Sequence, residues 1–577
     1  MANATLCIAK RIDCSHAGRH EAQGWRVSSW ITRTAVAAAL GILCSSLVGA
    51  APSVAAPSAG APVSVTMVVA LTAPARTSGF IDAELLANYT SGFGLLTKKL
   101  NEIIDRPVAI GIDPSIIASI RILGSEAPES ARAWLDRLAG ASNETFPLSW
   151  ADSDLTLPLH AGSAGLLEPE SFDFAIDPGL FAPVADEPSA SVSPTPTTPP
   201  DVGELPSLPT TASLVTWDYT AAALAWPALN SVTSADLTTL DARYEQVLLS
   251  STNVGSSQAR QAHTTLNGVT GLISDDRLST LFGLAVAADS GDEWTAAMTQ
   301  LATSVGVVPS TVSEPASVLI AIDRGVTVND IDLGLTITTL ASSANVRPVL
   351  LSQLLETEPA AVTLSDGGHS EEIVATVRAL LLDESRDREF SIIAAEPTRI
   401  TAARRLDLLA TLSTAWHATA SGWAAASAAY SNASAELRDK VKIVKSSSIT
   451  LWADRASLPV TVSNELDQAV TVFVTVRPRT PLLKVENSRV ELTIEPETQR
   501  KASVPVQSLS NGTVQLDVAI ASALGNRIGA KTHVSISVQA GWETPVTLGV
   551  AILVVLVFVA GIVRTIIRRR RARAIEA

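Results

Sequence analysis

Three rhythms of apolar and polar positions succeed one another along the chain. Between residues 63 and 397, short β-branched runs alternate with stretches whose apolar residues recur every three or four positions. VSVTMVVAL (63–71) has the length and composition of a strand buried on both faces. In residues 82–105, Leu85, Leu86, Tyr89, Phe93, Leu96 and Leu100 lie near a 3.6 period, which predicts a helix capped by Asp82. PVAIGID (107–113), 145–150, AAALAW (221–226), QVLLS (246–250), 268–273, SVLIAID (317–323) and 347–351 read as further strands, with Pro114 fixing a turn after the second. Helical patterns cover 126–139, 234–244, 277–288, 294–305, 329–342 and 371–383, the last as the final crossover helix. This alternation predicts an α/β domain over 57–397: a (β/α) barrel, complete or incomplete, with an open doubly wound sheet as the alternative. A Pro/Ser/Thr-rich insert, 185–211, carries no apolar period and reads as an exposed loop or linker.

The second rhythm, 398–445, is alanine-rich with widely spaced leucines and tryptophans, and predicts one or two long helices. The third, 446–540, has period two. LPVTVSN, VTVFVTV, VELTI, ASVPVQS, VQLDVAI and HVSISVQ are separated by turn sequences, the pattern of an immunoglobulin-like β-sandwich placed as a stalk before the membrane.

The period then disappears. Residues 546–567 are predominantly apolar and carry no charge except Arg564, and as a helix they reach about 33 Å, enough to cross a hydrocarbon core of about 30 Å. Arg564, Arg568, Arg569, Arg570, Arg571 and Arg573 crowd the far side, whereas Arg527 and Lys531 are the nearest cations before the run. The positive-inside rule puts the basic tail 568–577 in the cytoplasm and the preceding domains outside the cell membrane. The N-terminus agrees, since Arg26 and Arg33 precede the apolar stretch 35–48 and the small-residue sequence GAAPSVAAPSAGAP, the layout of a secretory signal peptide over 1–56. Cys7, Cys14 and Cys44 all fall in that segment, so the mature chain rests on hydrophobic cores without disulfides or thiolate zinc sites.

Charge narrows the partners. The whole chain has 42 Lys+Arg against 57 Asp+Glu, and setting aside 1–56 and 564–577 leaves 31 against 54, a net of −23. Nucleic acid and anionic lipid are therefore not expected as the main partner, since either needs a basic footprint. Carbohydrate, protein and basic ligands stay open, and eleven tryptophans against four tyrosines leave room for sugar stacking as well as for bulk in alanine-rich cores.

PVAIGIDP (107–114), SIRILG (119–124), NETFPLSWADSDL (143–155), AWP (225–227) and LPVTVSNELDQAVTV carry a resemblance. They are similar to an uncharacterised actinobacterial family of membrane-anchored envelope proteins, a domain of unknown function often encoded beside the lipid II flippase. The resemblance implies an exported barrel of glycoside hydrolase or polysaccharide deacetylase type, a β-sandwich, one span and a basic tail; it implies no particular reaction.

Asp113, Asp152, Asp154 and Asp323 are the candidate catalytic carboxylates, each at or just past a predicted strand's C-terminal end, the face where barrel loops build sites. Two carboxylates some 5–10 Å apart can divide acid and base or nucleophile roles at a glycosidic bond. Aspartates at strand ends and beside prolines equally form Asx-turns and helix caps. Trp150, Trp217 and Trp226 are candidate ligand-binding residues, or core and rim packing. His160, His263, His369, His417 and His533 are scattered, with no H-x-x-x-H pair, so no metal and no cofactor is called for. Two functions stand: a non-catalytic glycan- or protein-binding scaffold linked to cell-wall biogenesis and envelope-assembly proteins, and a glycan-active hydrolase using the strand-end carboxylates.

Overall fold

The computed structural model describes residues 62–181, 208–221, 223–255, 261–308, 316–322, 324, 332–444, 449–451, 455–538 and 543–573. The predicted signal segment 1–56, most of the insert 185–211, and Asp323 lie outside them.

β1 (Val63–Leu71) is buried along its whole length, as its unbroken apolar run requires. It pairs in parallel with β2 (Ala109–Ile112) and β8 (Ser317–Ile322), and over Val63 to Val65 with β9 (Val346–Pro348). β2 continues to β3 (Thr145–Pro147), while β8 meets β7 (Val269–Ser274), β7 meets β5 (Gln246–Ser250), and β5 meets β4 (Leu224–Ala225). The two ends of this order are joined. The Thr220 and Ala221 N–H groups, just before β4, both donate to the Thr145 carbonyl at 3.1 and 3.0 Å, and Thr145 N–H donates to Thr220 Oγ1 at 2.8 Å. Strands β1, β2, β3, β4, β5, β7 and β8 thus follow one another in chain order and return to β1.

Local chemistry modifies the expected elements. Two strands escaped the sequence pattern, β6 (His263–Leu266) and β10 (Ala360–Val362). β6 forms a hairpin with β7 through Asn267 and Gly268, both at positive φ (51° and 95°), as a two-residue hairpin turn demands. The helix expected over 82–105 is two, Ala83–Thr90 and Leu95–Ile103. Gly94 makes the corner, because a Cβ there would lie 2.3 Å from the Asn88 and Tyr89 carbonyls. Phe93, expected on the apolar stripe, is consequently 91% exposed at the tip. Pro114 opens a helix, Pro114–Ile122, rather than a turn, since its fixed φ suits the first helical position after Asp113.

The helix Glu371–Ser391 is longer than expected and packs with Pro397–Thr411 and Ala420–Asp439 rather than closing the α/β unit. One buried carboxylate ties the three together. Asp387 accepts from Arg404 Nε (3.1 Å), Arg438 Nη1 (2.6 Å) and Ser434 Oγ (2.6 Å), and the Arg404 guanidinium lies 3.8 Å over the Tyr430 ring.

The period-two region builds two stacked sheets. One is β11 (Val441–Ile443), β13 (Arg455–Asn464), β17 (Gln499–Ser508) and β15 (Leu483–Val485). The other is β12 (Ile449–Leu451), β19 (Arg527–Val538), β18 (Gly512–Ala521), β14 (Val470–Pro478) and β16 (Arg489–Ile494). Alternate residues of β14, Val470, Val472, Val474 and Val476, enter the shared core. That core also takes Phe390, Ile393, Ala394 and Ile400 from the helices, and the backbones join there: Thr471 N–H donates to Ile393 O (2.7 Å) and Ala395 N–H to Ala469 O (2.9 Å). The last helix, Glu543–Arg573, contains the apolar span, with mean hydropathy 3.0 over its most apolar window.

Replacing Asp387 by Ala leaves Arg404 and Arg438 facing each other without their shared anion. The expected loss is about 3–5 kcal/mol of unfolding free energy, read from chemical denaturation of the purified protein, with Asp439→Ala on the exposed helix end changing it by less than about 0.5 kcal/mol.

Candidate functional site

The carboxyl ends of β2 and β3 carry the aspartates singled out in the sequence, and the structure puts each to work inside the protein. Asp113 caps the helix Pro114–Ile122. Its Oδ1 accepts from Ser115 N–H and Ala151 N–H, both at 2.9 Å, and its Oδ2 from Ser115 Oγ at 2.7 Å, while half-buried Arg76 donates to the same Ser115 hydroxyl. Burial pushes Asp113 up to about 6, against the pull of Arg76 and of the bonds from Ser115.

Ala151 and Asp152 both sit at positive φ, 55° and 50°, in the short turn after β3. The turn is pinned from both sides, by Asp113 on the Ala151 N–H and by Arg324 on the Asp152 carboxylate. Arg324 Nε lies 2.6 and 2.9 Å from the two Asp152 oxygens, and Thr414 Oγ1 donates to Asp152 Oδ2 at 2.5 Å. Burial raises Asp152; Arg324, Thr414 and Lys99 oppose it. Burial also lowers the Lys99 ammonium to about 8, partly offset by Asp152.

Asp154 accepts from Thr156 N–H (2.9 Å), Leu157 N–H (3.0 Å) and Thr156 Oγ1 (3.0 Å), with His369 Nε2 3.4 Å from its other oxygen. Burial alone would raise it, but His369 and those N–H groups hold it down to about 2. His160 stands beside this network, paired with Asp236 (2.9 Å), its ring 5.2 Å from that of His369. No spacing in the sequence announces that pairing. Among the described residues, no group of three or more His, Cys, Asp or Glu side chains is arranged to hold a metal.

A roof covers this half of the face. Ser153 bridges Ser413, Asp154 N–H donates to Leu412 O (2.9 Å), and Gly79 N–H donates to Asp407 Oδ1 (3.2 Å), so the helix Pro397–Thr411 and the turn after it close over β2 and β3. The other half is open. A cleft of about 290 Å³ lies at the ends of β4, β5, β7 and β8, lined among others by Trp226, Leu229, Ser250, Asp276, Leu284 and Arg324. Asp113, Asp152 and Asp154 do not line it. Arg324 is the partition between the halves: Nε holds Asp152, Nη2 donates to Trp226 O (2.6 Å), and its guanidinium lies 4.5 Å over the Trp226 ring.

The tryptophans do not converge. Trp150 is buried against Phe80 and Phe172, with ring centroids at 5.6 and 4.9 Å. Trp217 lies under Arg121 at the opposite, amino-terminal end of the strands. Trp226 alone reaches the cleft, its ring flanked by Arg324 and, at 6.3 Å, by Phe146. Sequence reasoning overlooked Arg324, Thr414 and Asp276; Arg324 follows a strand-end aspartate, and a cation in that position was the available signal.

A family model, described as a family of unknown function (DUF6049), matches residues 33–574. The chain belongs to this family. No curated protein matches the sequence. Among solved structures, the alpha-amylase AmyC of Thermotoga maritima is 10% identical over 66% of this chain and 93% of its own, with a TM-score of 0.40. The Escherichia coli alpha-2-macroglobulin is 19% identical over 18% of this chain, with a TM-score of 0.15, and the match spans 7% of that protein's length. WR4, a Caenorhabditis elegans member of the MSP family, is 9% identical over 17% of this chain and 98% of its own, with a TM-score of 0.14.

Two of the strand-end acids, Asp113 and Asp154, carry opposite pH signatures. Asp113 binds its proton more tightly in the folded chain, up to about 6, than at the ordinary value of about 3.9. Wild type should therefore lose stability relative to Asp113→Asn as pH rises from 4 through 6. Asp154, held down to about 2, does the reverse: the advantage of wild type over Asp154→Asn is complete above about pH 4 and fades as pH falls toward 2. Denaturant titrations of the three proteins at stepped pH read both slopes.

Proposed function

We propose that this chain is a single-pass envelope protein whose α/β body is a non-catalytic binding or scaffolding module. One observation carries the reading. Asp113, Asp152 and Asp154 are buried and engaged in caps and ion pairs under a helical roof, while the open cleft beside them is lined by Trp226, leucines, serines, Asp276 and Arg324. A hydrolase needs carboxylates that touch substrate; these hold backbone turns and cations instead.

The arginine cluster after the span supports a cytoplasmic tail and an extracytoplasmic body, and the signal-like N-terminus supports export. The resemblance to envelope proteins encoded beside the lipid II flippase supports envelope glycan or the envelope-assembly proteins as what the body engages. The alternative, a glycan-active hydrolase of barrel type, is decided by turnover.

The purified full-length protein is to be titrated with envelope glycans and lipid-linked precursors while product release is followed by mass spectrometry. Binding without product, weakened at least about tenfold by Leu284→Asp in the cleft wall, is the expected result. Product that disappears in Asp152→Asn, under conditions where that variant stays folded, establishes the hydrolase instead.

A further inference from the structure

The sandwich and the span are joined by a very short tether. β19 ends at Val538 and the last helix begins at Glu543, so only residues 539–542 intervene. Fully extended, they reach at most about 17 Å. The apolar run starts at Val546, less than one helical turn later. Whatever angle the span adopts, the Val538 end of the sandwich must lie within about one headgroup layer and a short tether of the hydrocarbon.

The register identifies what else is at that end. Val538 pairs with Gly512, the first residue of β18, so the turn between β17 and β18 lies beside the tether. The turn after β14 joins it: Leu509 N–H donates to Leu482 O (2.9 Å), and Leu482 Cδ1 lies 3.0 Å from where a Gly512 Cβ would stand. These two turns present Leu509, 46% exposed, with exposed Pro481 and half-buried Leu482 beside it. Residues 479–484 and 508–513 contain no acid, in a chain with 57. Their cations are Lys484 and Arg479, and Arg479 is already turned back onto Asp517 at 2.8 Å. The opposite end of the same sheet has an exposed leucine too. Leu524, 75% exposed, sits in the turn between β18 and β19, about 33 Å away along β18.

We propose that the Leu509 turn, with Pro481 and Leu482, is a lipid-contacting surface seated at the headgroup/acyl boundary, a second membrane contact that holds the sandwich upright on its span. The tether favours bilayer lipid over a protein partner as the occupant, because it keeps these two acid-free turns within about 20 Å of the hydrocarbon. A single leucine with proline support gains only a few kcal/mol by burial, too little to recruit a soluble protein to a membrane but enough to orient one already anchored. The inference is independent of what the α/β body binds.

The test uses the full-length chain with Cys7, Cys14 and Cys44 changed to Ser. An environment-sensitive fluorophore is placed by Leu509→Cys or, separately, Leu524→Cys, and the protein is reconstituted in nanodiscs containing lipids nitroxide-labelled near the headgroup. Pro481→Cys replaces Leu509→Cys should that variant fail to fold. The label at the 509 turn is expected to shift to the blue and lose about half or more of its emission, as insertion about 5–10 Å into the interface requires. The label at 524 should be unaffected. Equal quenching at the two positions, or none at either, overturns the proposal.

Discussion

A carboxylate taken out of water must be given cations or N–H groups, and much of this molecule is organised by that demand. Asp387 holds three helices together through Arg404, Arg438 and Ser434. Asp152 ties the turn after β3 to Arg324 beyond β8 and to Thr414 beyond the helix Pro397–Thr411. Asp113 and Asp154 each take up N–H groups of the segments that follow them. Remove the anions, and the connections between the α/β unit and its helices lose their fixed points.

The same demand explains what could and could not be read from residue order. Where an element is determined by its own residues, it was visible: VSVTMVVAL is β1 to the residue, QVLLS is β5, and the valines of β14 alternate into a core as their period says. Elements determined by distant partners were not. β6 is a strand because β7 turns back at Asn267-Gly268, and β10 because it pairs in parallel with β6. Phe93 obeyed the helical period and is nevertheless exposed, because Gly94 breaks the helix at that point. At the candidate site, the positions of Asp113, Asp152 and Asp154 at strand ends were legible, but their occupation was not. Thr414 and His369 come from more than two hundred residues away, and no local pattern announces them.

The two halves of the strand-end face follow from connection length. The turns after β2 and β3 are short and fold inward, where the helices of residues 397–418 cover them. The segments after β4, β5 and β7 lead instead to 227–230, 251–253 and the helix Asp276–Val286, which stand apart enough to leave a cleft. Asp113, Asp152 and Asp154 lie in the covered half, where they hold turns and cations; Trp226, leucines, serines, Asp276 and Arg324 line the open half.

Coupling between the parts is by shared core rather than by flexible linkers. Phe390 and Ile393 end a helix of the bundle and enter the sandwich core, and the backbone at 393–395 pairs with 469–471. β14 leaves this junction and runs its nine residues, about 30 Å, toward the turn that meets the Leu509 loop. The junction with the helices and the tether to the span are therefore at opposite ends of one rigid layer. A sandwich so placed is a spacer of fixed length between the helices and the apolar last helix.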